Sequence, residues 1–373
     1  MSREDAYERF ELGASSLLNA KLKTNSSDCE NLLVESLQYL EHAVDLLKED
    51  DPDYRKFVQF CASAHARCLL LVECSVDIDA YLSSSPLFDT LANTHSNIQD
   101  DHSVDPGIDE ITLHNFWRNL NQTRDRHFSA TNSELFSARI FANHVVSFNR
   151  AISCSSENAY LECLWYTYRA IVLYLRMEQY NPDEVALCIV SMDRVVRLRE
   201  PSDRPLSPSD VDPILLQILP EPQYDLSLFK KRLSLLRSLA TFYIHRHTTL
   251  FKEYLDLYKS TSDPGHLDDT ISEAREALSW GRDTALLPRL QFKLLLALGQ
   301  ALHERYWLNG PLEDLEDSAD CLREALAYES APMDRLLFCR QRLSTVAADL
   351  AKELAENSES EAWLKSLVLW REY

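Results

Sequence analysis

Apolar residues recur along this chain at steps of three and four. Over 33–47, Leu33, Leu37, Leu40, Val44 and Leu47 fall on one face of a helix, and over 54–74 Phe57, Phe60, Cys61, Ala64, Cys68 and Leu71 do the same. A further helix is predicted over about 4–20. From 134 the period returns, with Leu161, Trp165, Tyr168, Val172 and Leu175 forming a stripe. Asn181-Pro182-Asp183 reads as a cap followed by proline at the first helical position, opening a helix over 183–198 with Val185, Ile189, Met192 and Val196 inward. The stretch 226–260 and nearly all that follows are helical in pattern. Two stretches lose the period. Residues 84–110 gather Ser, Asn, Asp and Pro, as loops do, and 201–222 holds six of the 14 prolines, which suggests an extended, accessible insert. The chain therefore divides into N-terminal helical hairpins (1–83), a loop insert (84–110), a central helical region (111–198), a proline-rich insert (199–225) and a C-terminal helical array (226–373).

The C-terminal array repeats itself. Leu267-Asp268-Asp269-Thr270-Ile271-Ser272-Glu273-Ala274-Arg275-Glu276-Ala277-Leu278 aligns at an offset of 48 with the segment Leu315–Leu326, six of twelve positions being identical. Tyr258 and Tyr306 share that offset, and Arg289-Leu290-Gln291-Phe292 matches Arg335-Leu336-Leu337-Phe338 at an offset of 46. Leu267, Ile271, Ala274 and Leu278 have the spacing of Leu315, Ala319, Leu322 and Leu326, and also of Val185, Ile189, Met192 and Val196. Each unit reads as a helix pair. One pair cannot bury its stripe alone, so neighbouring pairs are expected to stack.

On these residues, with His303-Glu304-Arg305-Tyr306, Gly310 and Leu312-Glu313-Asp314-Leu315, the chain resembles the tetratricopeptide-like (TPR-like) helical repeats abundant in fungal proteins. The resemblance is best over 258–356 and extends to 33–74 and 183–260. It implies an all-α fold of TPR-like antiparallel helix-pair repeats stacked into a superhelix. In that family such arrays often precede a caspase-like CHAT protease module. No stretch after 356 has the length of such a module, so the resemblance implies a binding scaffold and carries over no catalytic residue.

Composition narrows the function. Glycine is scarce, 6 residues in 373, which disfavours phosphate-cradling loops and tight hairpins. A net charge of -21 removes the electrostatic term behind nucleic-acid binding and repels anionic membranes. The N-terminus has no signal-peptide pattern and no run approaches a membrane span, which predicts a cytoplasmic protein. Nine cysteines without a C-x-x-C read as reduced thiols, and Cys61 and Cys68, on one helix face, read as small buried hydrophobes. Two glycosylation acceptor patterns, at Asn25 and Asn121, are then idle.

Asp100-Asp101-His102-Ser103-Val104-Asp105 has the spacing of a terpene-synthase magnesium motif, but it sits in a helix-poor insert. The second such motif is incomplete, with Asn143 and Ser147 followed by Ala151. The same insert imitates a calcium loop, with Gly107 one place late and Thr112 where glutamate is required. His245 and His247, two apart, point to different sides of a helix and cannot share a metal. Neither H-E-x-x-H nor G-x-S-x-G occurs. No catalytic, cofactor-binding or metal residue is assigned, and no cofactor is expected. Arg275-Glu276 and Arg323-Glu324 have the character of groove charges for a peptide carboxylate, with pairing to neighbouring helices or solvent the favoured reading; Trp280 and Tyr328 read as packing residues between repeats, and Ser207-Pro208 as an accessible phosphorylation site. The expected function is a non-catalytic scaffold for protein or peptide partners. The alternatives are the sensor or regulatory arm of a CHAT-type protease effector and, as an outsider, a terpene-synthase-like enzyme.

Overall fold

The computed structural model describes residues 3–22, 26–73, 138–176, 181–199, 211–219, 226–281, 287–308, 310–328 and 331–356, with a few isolated positions between them. Among the described residues there are twelve helices and no strand, so the fold is all-α. They are α1 (Arg3–Leu22), α2 (Ser26–Leu46), α3 (Tyr54–Glu73), α4 (Ala138–Ser153), α5 (Ala159–Arg176), α6 (Pro182–Arg199), α7 (Pro213–Ile218), α8 (Leu226–Thr261), α9 (Pro264–Ser279), α10 (Pro288–Trp307), α11 (Glu313–Leu326) and α12 (Met333–Glu356).

Proline starts several of these helices. In α6, α7 and α9 it occupies the first position behind Asn181, Asp212 or Asp263, each of which accepts a hydrogen bond from a backbone N–H of the first turn: Glu184 at 3.2 Å, Ile214 at 2.7 Å and Gly265 at 2.9 Å. Proline loses nothing there, because the first N–H groups of a helix have no partner within it. Over 211–219 this corrects the reading of an extended, accessible insert. Pro213 opens α7, whose Leu215 and Ile218 are buried, and α7 packs on α1 and α3.

The chain forms two compact units that divide at Leu236 and Arg237, within α8. In the first, each helix from α1 to α5 packs on its successor, α1 also meets α3, and α3 also meets α5. In the second, α9 to α12 pack in order and α10 also meets α12.

A shared register underlies the packing. Six positions, spaced 0, 3, 4, 7, 10 and 11, face inward in α2 (Leu33, Ser36, Leu37, Leu40, Ala43, Val44) and α6 (Val185, Cys188, Ile189, Met192, Val195, Val196). The same six recur in α9 (Leu267, Thr270, Ile271, Ala274, Ala277, Leu278) and α11 (Leu315, Ser318, Ala319, Leu322, Ala325, Leu326), where only Leu326 is less than fully buried. The small polar residue at the second position has a structural task. Ser36 Oγ donates to the Gly13 carbonyl of α1 at 2.9 Å, Ser318 Oγ to the Gly299 carbonyl of α10 at 2.6 Å, and Cys188 Sγ to the Ala170 carbonyl of α5 at 3.5 Å. Three pairs, α1 with α2, α5 with α6 and α10 with α11, thus cross where a glycine or alanine backbone lets the second helix approach closely. In α9, Thr270 bonds instead to the His266 carbonyl of its own helix at 2.6 Å.

Aromatic rings fill the core of the first unit. Phe10 stacks on Phe57 at 4.0 Å, and Phe148 lies between Trp165 and Tyr168 at 6.2 and 5.9 Å. Trp165 donates its indole N–H to Gln59 at 2.6 Å, which satisfies the one polar atom that burial of this side chain would orphan. In the second unit Trp280 stacks on Tyr243 at 4.1 Å.

Candidate functional site

A groove of about 680 Å3 runs between α10 and α12 in the second unit. Its α10 wall carries Arg289, Phe292, Lys293, Leu296, Ala297 and Gln300, and its other wall carries Ala331, Pro332, Arg335 and Phe338. The α10 residues span three turns, about 16 Å at 1.5 Å per residue. The floor is apolar: Phe292 and Leu296 are buried, and Ala297 and Phe338 are half-buried. The rim is basic and polar, with Arg289, Lys293 and Arg335 exposed. The two Arg-Leu-x-Phe segments recognised in the sequence as a repeat therefore face one another, Arg289 and Phe292 on one wall, Arg335 and Phe338 on the other. Arg289 and Arg335 stand in the first turns of their helices, where the positive end of the helix dipole adds to their potential. Asp334 lies 3.9 Å from Arg335 Nε; with the side chains 80% and 64% exposed, this ion pair is weak.

A second feature lies in the first unit. At the crossing of α3 and α4, the register position held elsewhere by Ser36, Cys188 or Ser318 is occupied by His144, followed by Phe148 and Ala151 as Ser318 is by Leu322 and Ala325. His144 meets His65 of α3, the Nδ1 atoms 2.6 Å apart and both rings buried. At that distance one ring donates an N–H and the other accepts, so the pair shares a single proton on this axis. His65 Nε2 lies 3.3 Å from Glu41 Oε1, and Asn143 donates to the same oxygen at 3.1 Å. Burial, with the neighbouring His65 adding to it, holds His144 well below the usual histidine range. The adjoining pocket, about 200 Å3, is lined also by Asp45, Cys61, Ser147 and Arg150. Ser147 Oγ contacts Cys61 Sγ at 3.7 Å, and Arg150 pairs with Asp45 at 2.9 Å. Burial pushes the Cys61 thiol up to about 12, which keeps it protonated and unfit as a nucleophile at neutral pH.

Arg275 pairs with Asp317 of α11 at 2.6 Å, and Arg323 pairs with Asp320 of its own helix, so both arginines engage acids on the protein rather than the groove. Trp280 and Tyr328 pack within the array, Tyr328 donating to Gln291 Oε1 at 2.9 Å. Cys61 and Cys68 are buried, and the eight described cysteines form no disulfide. Asn143 and Ser147 face Glu41 and Cys61. His247 bonds to Glu273 at 2.7 Å, while His245, half-buried, is pulled below the ordinary histidine range chiefly by burial. Asp100 to Asp105, Gly107, Thr112 and Ser207 lie outside the described residues. Among the described residues no group of three His, Cys, Asp or Glu side chains is placed to hold a metal ion, and no helix is long and apolar enough to cross a membrane.

Two features were missed in the sequence. The roles of Gly13 and Gly299 are written in the small-residue register of their helices, a signal available beforehand. The His65–His144 contact joins residues 79 apart, and no local pattern points to it. Comparison with protein-family models, with curated proteins and with solved structures finds no match for this chain.

Proposed function

We propose that this chain is a non-catalytic protein-protein interaction scaffold built from TPR-like helix pairs, its partners being protein or peptide segments and its compartment the reducing cytoplasm. The observation that carries the reading is the recurrence of one helix-pair crossing, Ser36 on Gly13, Cys188 on Ala170 and Ser318 on Gly299, in both compact units. Helix pairs with one register stack along an axis and leave long grooves between alternate helices, and such grooves bind extended or helical segments. The packing of α10 on both α11 and α12, with the open groove between α10 and α12, is a local instance. Eight described cysteines outside any disulfide agree with a reducing compartment.

The test is a library of random 12-residue peptides displayed on phage and panned over the full chain. The reading expects enrichment of a family of related peptides that bind as free synthetic segments and compete with one another. A chain that retains no peptide above background after repeated rounds refutes it.

A further inference from the structure

We infer that the groove between α10 and α12 takes an acidic amphipathic segment, in which Asp or Glu residues flank aliphatic or aromatic ones; the inference rests on the scaffold reading and gives the partner its chemistry.

Three observations lead there. The groove floor of Phe292, Leu296 and Phe338 offers apolar surface that only an apolar side chain can cover profitably. The rim gathers three cations, Arg289, Lys293 and Arg335, within a protein whose net charge is -21. Cations are outnumbered 59 to 38 along the chain, whereas the described residues that line this groove include three cations and no acid. Finally, the first turns of α10 and α12 both open on this groove, and their N-terminal dipoles add to the same positive potential.

Charge complementarity selects the occupant. The long-range field of the protein repels an anionic segment, so nothing but a local site retains one, and the affinity must come from short contacts. A basic segment is drawn to the molecule as a whole, yet at this groove it meets like charges beside an apolar floor. Arginine also matches carboxylates with paired N–H donors, which favours Asp and Glu over other acceptors. The length fits as well: about 16 Å of groove accommodates five residues of extended chain or three turns of helix.

The experiment uses the peptides recovered by panning 12-residue random phage libraries over the full chain, remade as fluorescein-labelled synthetic peptides and titrated by anisotropy. The charge-reversed chain R289E/K293E/R335E serves as the comparison; all three positions are exposed, and its thermal melt is checked against the parent. The inference expects recovered peptides enriched in Asp and Glu around apolar residues, affinity lowered at least about tenfold by the reversal, and weakening as salt rises from 0.1 to 0.5 M, where screening shortens to a few ångströms. Peptides in which each acid is replaced by Lys are expected to bind the reversed chain better than the parent chain. Recovered peptides without an acidic bias, or equal binding to both chains, overturn the acidic partner while leaving the scaffold reading intact. Recovery of no peptide overturns both.

Discussion

Replacing Gly299 by alanine sets two effects against each other. Glycine within a helix costs about 1 kcal/mol relative to alanine, so propensity alone predicts that Gly299→Ala stabilises α10 by that amount. The structure predicts the opposite sign. A Cβ at this position stands 2.9 Å from Leu322 Cγ, 3.1 Å from its Cδ2 and 3.3 Å from the Ser318 carbonyl oxygen. Leu322 is fully buried, and a Cγ cannot be turned aside by rotating the end of the side chain, so α10 and α11 must separate. Overpacking of this kind costs about 1–3 kcal/mol, and the displaced Ser318-to-Gly299 hydrogen bond adds about 1 kcal/mol where it is broken. The sum exceeds the gain in propensity, and the net expectation is a loss of about 1–3 kcal/mol. Native-state hydrogen exchange with peptide-level mass spectrometry, reading α10 and α11 at increasing urea, measures it within the second unit. Gly13→Ala, whose Cβ meets Leu40 Cγ at 2.7 Å, is expected to act likewise in the first unit. Gly265→Ala, exposed at the start of α9 and meeting only Asp263, is the control and is expected within about 0.5 kcal/mol of the parent. If Gly299→Ala stabilises by the full propensity increment, the close crossing assigned to these helices is wrong.

Other consequences follow from the same packing. Ala277 and Ala325 are fully buried at matching register positions, so Ala277→Leu and Ala325→Leu are each expected to lower stability by about 1–3 kcal/mol in urea melts; neutral melts for both would refute the register. His144 is held neutral in the folded chain, its proton affinity lowered by burial, whereas the unfolded chain protonates it near pH 6.5. The unfolded state then binds more protons below that pH, so stability is fully present above about pH 6.5 and declines as the pH falls. His144→Leu is expected to make the decline between pH 7 and 5 shallower, and an unchanged slope would contradict the assignment. Burial pushes the thiols of Cys61 and Cys188 up to about 12, so neither is expected to react with iodoacetamide at pH 8 until the chain unfolds; rapid native labelling, mapped by mass spectrometry, would show that the crossings open.

Much of the local structure was legible because a helix writes its buried face into its own sequence. The stripe of α6 was read at Val185, Ile189, Met192 and Val196, and all four are buried. The cap at Asn181 was read from the Asn-Pro pair and makes the bond it implies. The misreading at 211–219 has an equally local cause: proline was taken as a helix breaker, but behind Asp212 it opens α7.

The candidate groove was half legible. The two Arg-Leu-x-Phe segments stood out as a repeat, while the charge pairs Arg275-Glu276 and Arg323-Glu324 drew attention that the ion pairs to Asp317 and Asp320 dispel. By itself the sequence determined the all-α class, the inward stripes of its most periodic helices and the register shared by α6, α9 and α11, since each depends on residues within a few turns of one another. Only the tertiary structure decided that Ser318 meets the Gly299 carbonyl, that His65 meets His144, and that Arg289 and Arg335 share a groove. Those contacts depend on the offset and angle at which two helices cross, which shape complementarity between whole faces sets and periodicity along one strand of sequence cannot express.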